Sequence, residues 1–437
     1  MSEVRMKNIL SDCNIVDVEN GCRILEKRDI CFEKGKIVEI TEHKEGRTDG
    51  KIIPANGKFA VPGLINLHVH LFGTGAPSKV LSGGKTQETL LKFVKTALGK
   101  KVLAMLVGSA AKTQLNSGVT TLRSVGDFCN SDIAFKRKTA AGKGAARGLK
   151  MVVSGPAITV SGGHGAGTFA VYADDPKELE KLVDRNVAAG CDFIKICVTG
   201  GVMDGKRGEP GELKMSAEQV KAVCDRAHAH GMKVAAHAEG KKGVDISAMY
   251  GVDTIEHGAV MNPESIEALK ARKGAVVATY SPALPNWLLP PSVTKLNEDS
   301  NYNTKLVLDG MKVCSRQAYD AGVAVGMGTD SSCPFCTQYD FWREVVYFHK
   351  VGGFTPEQSL RVATLGNAEI LGMDKITGSI EVGKSADIIL VDSNPVDDLT
   401  VLRNVRTVIA SGRVIRKPSV KRNKMIEEEL DTIMKGL

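Results

Sequence analysis

Leu64-Ile65-Asn66-Leu67-His68-Val69-His70 reads as the end of an apolar strand. An extended backbone sends residues two apart to the same side, so His68 and His70 face together, a geometry that suits one metal ion. Downstream, short apolar strands alternate with amphipathic helices, the signature of βα units and a parallel sheet. Strand candidates begin near Ala60, Val119, Lys150, Phe193, Lys233, Thr254, Ala275 and Ala324. Their span is close to the roughly 250 residues of a (β/α)8 barrel, with some insertion, and a doubly wound sheet is the runner-up. Helix punctuation supports the alternation. Ser216 precedes Gln219 in a capping box closed by Gly231, and Thr355-Pro356-Glu357-Gln358 repeats the device.

Either side of this region the texture changes. Asn8 to Val18 is rich in β-formers, Ile30 to Ile40 is broken by the turn pair Lys34-Gly35, and Asp387 to Val391 and Val408 to Ile415 bracket Ser411-Gly412. The expected organisation is an α/β chain with a TIM-like barrel over 61–373 and a small β-sandwich domain built from both ends, 1–60 and 374–437, the latter including a tail.

In 437 residues, 43% hydrophobic and 25% charged content exclude a disordered, collagen-like or coiled-coil chain. Lys plus Arg number 58 against 50 Asp plus Glu, a net +8 scattered among the acids, and only 5% of residues are aromatic, so no nucleic-acid partner is implied. No apolar run approaches the length of a membrane helix, and Met1-Ser2-Glu3-Val4-Arg5 lacks a signal-peptide core. Ten cysteines, several within apolar runs, read as buried thiols, which fits a reducing, cytoplasmic setting. A homo-oligomer is expected.

Polar residues that close apolar strands matter most in a parallel barrel, where the active face lies at the strand ends. Val234-Ala235-Ala236-His237, Thr254-Ile255-Glu256-His257 and Val325-Gly326-Met327-Gly328-Thr329-Asp330 each carry a donor there. Four histidines and an aspartate at matched positions favour metal over separate structural roles. His228-Ala229-His230 has the same spacing but falls in the last turn of a helix, where positions two apart diverge, so it is rejected as a ligand pair. Lys195, within Phe193-Ile194-Lys195-Ile196-Cys197, would bury an ammonium at heavy desolvation cost. A Schiff-base lysine or carboxylation by CO2 to an anionic carbamate would relieve it, and the neighbouring histidines favour the carbamate.

With these residues in view the chain resembles the amidohydrolase superfamily, in its imidazolonepropionase-like branch that includes metal-dependent prolidases and carboxypeptidases. The carriers are Val61-Pro62-Gly63-Leu64-Ile65-Asn66-Leu67-His68-Val69-His70, the Lys195 strand with Thr199-Gly200-Gly201-Val202, Ala236-His237-Ala238, Ile255-Glu256-His257-Gly258, Gly328-Thr329-Asp330, and Gly378 to Ile388. The resemblance implies that His68, His70 and Asp330 hold one divalent ion, that His237 and His257 hold the other, and that carboxylated Lys195 bridges them. The pattern departs at Leu122-Arg123-Ser124, where many relatives place an aspartate directly after the arginine.

Paired divalent ions, zinc as first choice, would lower the pKa of a shared water, and Asp330 would take its proton and return it to the departing nitrogen. The expected reaction is cleavage of a C–N amide bond in a small substrate, a dipeptide or N-acyl amino acid. The alternatives are a cyclic amidase of the imidazolonepropionase type, a noncatalytic metal-binding scaffold and, remotely, a Schiff-base aldolase. His164, in the glycine-rich loop 161–167, is a candidate donor to the reacting carbonyl oxygen, Tyr280 is a second, and Arg207 is a candidate partner for a substrate carboxylate. Glu239 is read as orienting the metal shell, and Cys333-Pro334-Phe335-Cys336 as loop packing, with a disulfide as the minority case.

Overall fold

The computed structural model describes residues 7–77, 85–202 and 205–437; the opening residues read above for a leader lie outside them. Both chain ends build one eight-stranded sheet. Asn8–Asp17 pairs antiparallel with Arg23–Glu33, and Phe59–Pro62 links this half to Ile388–Val391 and Thr407–Ala410 from the other end. The two turn pairs act as read: Lys34 and Gly35 (φ 49° and 82°) and Ser411 and Gly412 (φ 47° and 75°) supply the paired positive φ of a two-residue hairpin. Leu10, Ile30, Phe32, Ile388 and Ile409 form the core of this sheet.

Between the ends lie two parallel sheets. Leu64–Val69, Val119–Ser124 and Lys150–Val153 form the first. The second contains Ile194–Cys197, Val234–Ala238, Thr254–His257, Ala275–Ala278 and Ala324–Met327 in chain order, with Ala157–Thr159 and Ala170–Tyr172 at its edge. Hydrogen bonds join the sheets at both seams. Asp330 N–H donates to the His68 carbonyl at 2.8 Å, and Asp192 N–H donates to the Val153 carbonyl at 2.8 Å.

Ala60 does not start a strand of these parallel sheets, as the sequence reading expected. It sits in Phe59–Pro62 of the end sheet, and the chain then crosses at Gly63, where a Cβ would overlap the Thr120 side chain. The pair Ala157–Thr159 and Ala170–Tyr172 was likewise not foreseen, because three-residue strands carry too little periodicity.

Both expected capping boxes form, at Ser216 with Gln219 and at Thr355 with Gln358. His228 and His230 bond Asp253 and Asp184 near the end of their helix, away from the histidine cluster. The closing helix Lys424–Lys435 docks on Phe341–Lys350 through buried Arg343, which reaches Asp431 at 2.8 Å and Glu427 at 3.2 Å. Among the described residues no helix is long and apolar enough to cross a membrane.

Candidate metal centre

The strand ends bring the expected donors together. His68 and His70 close Leu64–Val69 and meet Asp330, with Asp330 Oδ1 3.2 Å from His70 Nε2 and 3.5 Å from His68 Nε2. His237 and His257 close adjacent strands, their ring centroids 4.6 Å apart, and His257 lies 4.8 Å from His68. Two donor groups result, His68 with His70 and Asp330, and His237 with His257 and Glu239. Glu239, read as an orienting residue, thus stands close enough to serve as a donor itself. His257 (φ 68°) and Asp330 (φ 51°) both hold the left-handed backbone region, strain of a kind that clusters at functional sites.

Each imidazole is oriented by a bond on its far side. His68 Nδ1 faces Glu256 at 2.8 Å, His70 Nδ1 the Gly126 carbonyl at 3.0 Å, and His257 Nδ1 the Thr279 hydroxyl at 2.7 Å, leaving their Nε2 atoms as donors. His237 is turned the other way, with Nε2 at 3.2 Å from the Gly200 carbonyl and Nδ1 left over. Burial first, then neighbouring Lys195, pushes the His68 imidazole down to about 4. Burial likewise depresses His237 and His257, so all three are neutral at pH 7, the protonation state a metal requires. Burial alone would raise the Asp330 carboxyl, but its imidazole neighbours, His68 first, hold it well below its ordinary range.

Lys195 supplies the test of fit. Among the described residues its buried Nζ has no hydrogen-bond partner, and desolvation lowers its pKa. An orphaned amine beside neutral imidazoles and an ionised carboxylate fits a site that would hold divalent ions, and this nitrogen and oxygen donor set suits zinc and other first-row metals.

Sequence reading missed the network beneath. Arg123, from Val119–Ser124, donates to both oxygens of buried Glu256 at 2.7 Å and to the Leu67 carbonyl at 2.7 Å, and Thr254 completes the set at 2.7 Å. Burial pushes the Glu256 carboxyl up, but Arg123 and His68 outweigh it and keep the group ionised. A charged residue within each apolar strand was the available signal; their pairing across 133 positions was not.

A cavity of about 440 Å³ opens over the donors. His164 lines it and stacks on His237 at 4.4 Å, which places it beside the donor cluster. The structure does not bring Tyr280 or Arg207 to this cavity. Tyr280 is fully buried with its hydroxyl on Ser315 at 2.7 Å, because its strand-end turn starts a helix that rotates the ring into the core. Arg207 is exposed, 3.4 Å from Asp299 and over the Tyr302 ring. Cys333 and Cys336 are free thiols, and Cys333 Sγ lies 3.4 Å from Asp330 Oδ2.

A family model for the amidohydrolase family matches residues 59–415, the segment that carries every donor named above. The chain belongs to the amidohydrolase family. A solved structure from Bifidobacterium longum, described as a candidate prolidase, is 35% identical with a TM-score of 0.85 and covers 98% of this chain and 99% of its own. An Xaa-Pro dipeptidase with methionine bound in its active site is 27% identical, with a TM-score of 0.78, covering 94% of this chain and 100% of its own. Among curated proteins, the imidazolonepropionase of Kosmotoga olearia is 25% identical over 90% of this chain and 91% of its own. The ochratoxinase of Aspergillus niger is 26% identical over 260 residues, 59% of this chain, so that match spans about half the relative's length.

Proposed function

We propose that the two parallel sheets close as a (β/α)8 barrel over 61–373 and that this amidohydrolase is a metal-dependent hydrolase of a C–N amide bond in a dipeptide or N-acyl amino acid. The observation that carries the reading is the convergence of His68, His70, Asp330, His237 and His257 around a buried Lys195 amine without a partner. The likeness to an Xaa-Pro dipeptidase and a candidate prolidase supports a peptide-like substrate. A cyclic amidase is the second reading, favoured by the imidazolonepropionase likeness along 90% of the chain.

His68, His70 and Asp330 would hold one divalent ion and His237 and His257 the other. Burial lowers the Lys195 pKa, which favours the free amine that would add to CO2 with loss of a proton, and the resulting carbamate would supply an anionic ligand to the two sites. Bound divalent ions supply a water of lowered pKa and polarise the substrate carbonyl. Ionised Asp330 accepts the proton of the attacking water and delivers it to the departing nitrogen, which cannot leave as an amide anion. His164 donates to the carbonyl oxygen as negative charge builds there. Glu256 and Arg123 keep His68 in the required tautomer.

Elemental analysis of protein purified without chelators should find zinc or another divalent transition metal, and a screen of dipeptides, N-acyl amino acids and cyclic ureides should find turnover. Asp330→Asn should retain the circular dichroism of the parent while kcat falls by about two or more orders of magnitude. Near-normal turnover in that variant would refute the role of Asp330, and metal-free protein would refute the whole reading.

A further inference from the structure

The cavity walls differ sharply in chemistry. On one side Phe72, Phe128 and Phe169, which follow Leu64–Val69, Val119–Ser124 and Ala157–Thr159, pack together, Phe72 lying 4.8 Å from Phe128 and 6.2 Å from Phe169. This wall begins at the metal-binding group itself, since His70 is 5.3 Å from both Phe72 and Phe169. Another part of the lining comes from the segment after Ala275–Ala278 and carries Lys295. Apart from buried Lys195, Lys295 is the one lysine or arginine among the described residues lining the cavity. Its Nζ donates to the neutral Ser292 carbonyl, and no described carboxylate pairs with it. Lys295 also sits at φ 65°, a left-handed position closing the short helix Pro291–Thr294, where glycine or asparagine would be the cheaper choice. One cavity thus carries an exposed cation without a described carboxylate partner, on a strained rim position, and an aromatic cluster supplied by other loops.

We propose that Lys295 binds the free carboxylate of the substrate while Phe72, Phe128 and Phe169 hold a bulky apolar group at the other end. The carboxylate belongs to the amine portion of an N-acyl amino acid or dipeptide, so the apolar group must lie on the acyl portion. The preferred substrates are therefore N-aryl-acyl amino acids and dipeptides with a large apolar N-terminal residue. This rests on the hydrolase reading, and Lys295 takes over the carboxylate role expected of Arg207, which the fold turns away from the cavity.

The test separates the two claims. Calorimetric titration of the metal-loaded protein uses the ketomethylene isostere of phenylacetylglycine, in which CH2 replaces the amide N–H, together with its carboxamide. Neither can be hydrolysed at the reacting position. Wild type should bind the acid about tenfold tighter than the carboxamide, the scale of one charge-assisted contact. Lys295→Met should abolish that preference, Lys295→Arg should keep it, and Phe169→Ala should weaken both ligands alike by about tenfold. Equal binding of acid and carboxamide by wild type, or a preference that survives Lys295→Met, overturns the role of Lys295. An unchanged affinity in Phe169→Ala overturns the aromatic half. Phenylacetylglycine itself, assayed in parallel, reports on the reaction: no product alongside an intact acid preference would sink the hydrolytic reading and leave the recognition claim standing.

Discussion

Glu256 illustrates how a residue outside the donor set governs it. It is fully buried, holds His68 by one oxygen and neutralises Arg123 with both. Glu256→Gln should leave the guanidinium without its counter-charge, costing about 3–5 kcal/mol of stability in denaturant titrations. Metal affinity should fall by about 10–100-fold as His68 loses its orienting bond. A second buried carboxyl makes a pH prediction. Asp132 is pushed up to about 6 by burial, against the donors Ile133 N–H and Gly155 N–H. The folded protein therefore binds this proton more tightly than the unfolded chain. The associated stability is fully present below about pH 4 and is lost as pH rises through about 6. Asp132→Asn does not titrate, so its stability relative to wild type should improve by up to about 3 kcal/mol between pH 4 and pH 7, read from urea midpoints at each pH. A gap that stays constant across that range would show that Asp132 titrates normally.

The elements matter through their ends and crossings. Gly328 follows Ala324–Met327 where that strand passes His68, and a Cβ there would fall inside contact distance of the His68 backbone. Gly328→Ala should force the last strand away from the first, lower the urea midpoint by an amount worth about 1–3 kcal/mol, and reduce the metal retained after gel filtration, because Asp330 moves with the strand. Full metal retention at wild-type stability would mean that the seam yields freely. The hairpin turns and capping boxes were readable from the chain because each is decided by residues within a few positions of one another, as at Lys34-Gly35 and Ser216 with Gln219. Tyr280 shows the limit of such reading. Its place after a strand was foreseen, but the direction of its ring follows from the helix Tyr280–Leu288 and the Ser315 hydroxyl supplied by another helix.

At the scale of the whole molecule, candidate donors drawn from both parallel sheets would make metal binding a clamp on the fold. Chelation should lower the thermal midpoint and added zinc should restore it, by about 4 kcal/mol of apparent stability when free zinc stands at roughly 1,000 times its Kd. An unchanged midpoint after complete metal removal would show that the donors are held in place without ions. Sequence alone pointed to the alternating α/β plan, the end sheet and the histidines that converge at the strand ends. An apolar run that stops on a polar residue is a local pattern with period two, and a donor with no other reason to sit there stands out. The tertiary structure alone decided which strand end faces which, and so the Arg123–Glu256 brace, the aromatic wall and the exclusion of Tyr280 and Arg207 from the cavity. Those contacts join residues far apart in the chain, and side-chain direction at a loop or helix start is set by whatever packs against it, which no local pattern encodes.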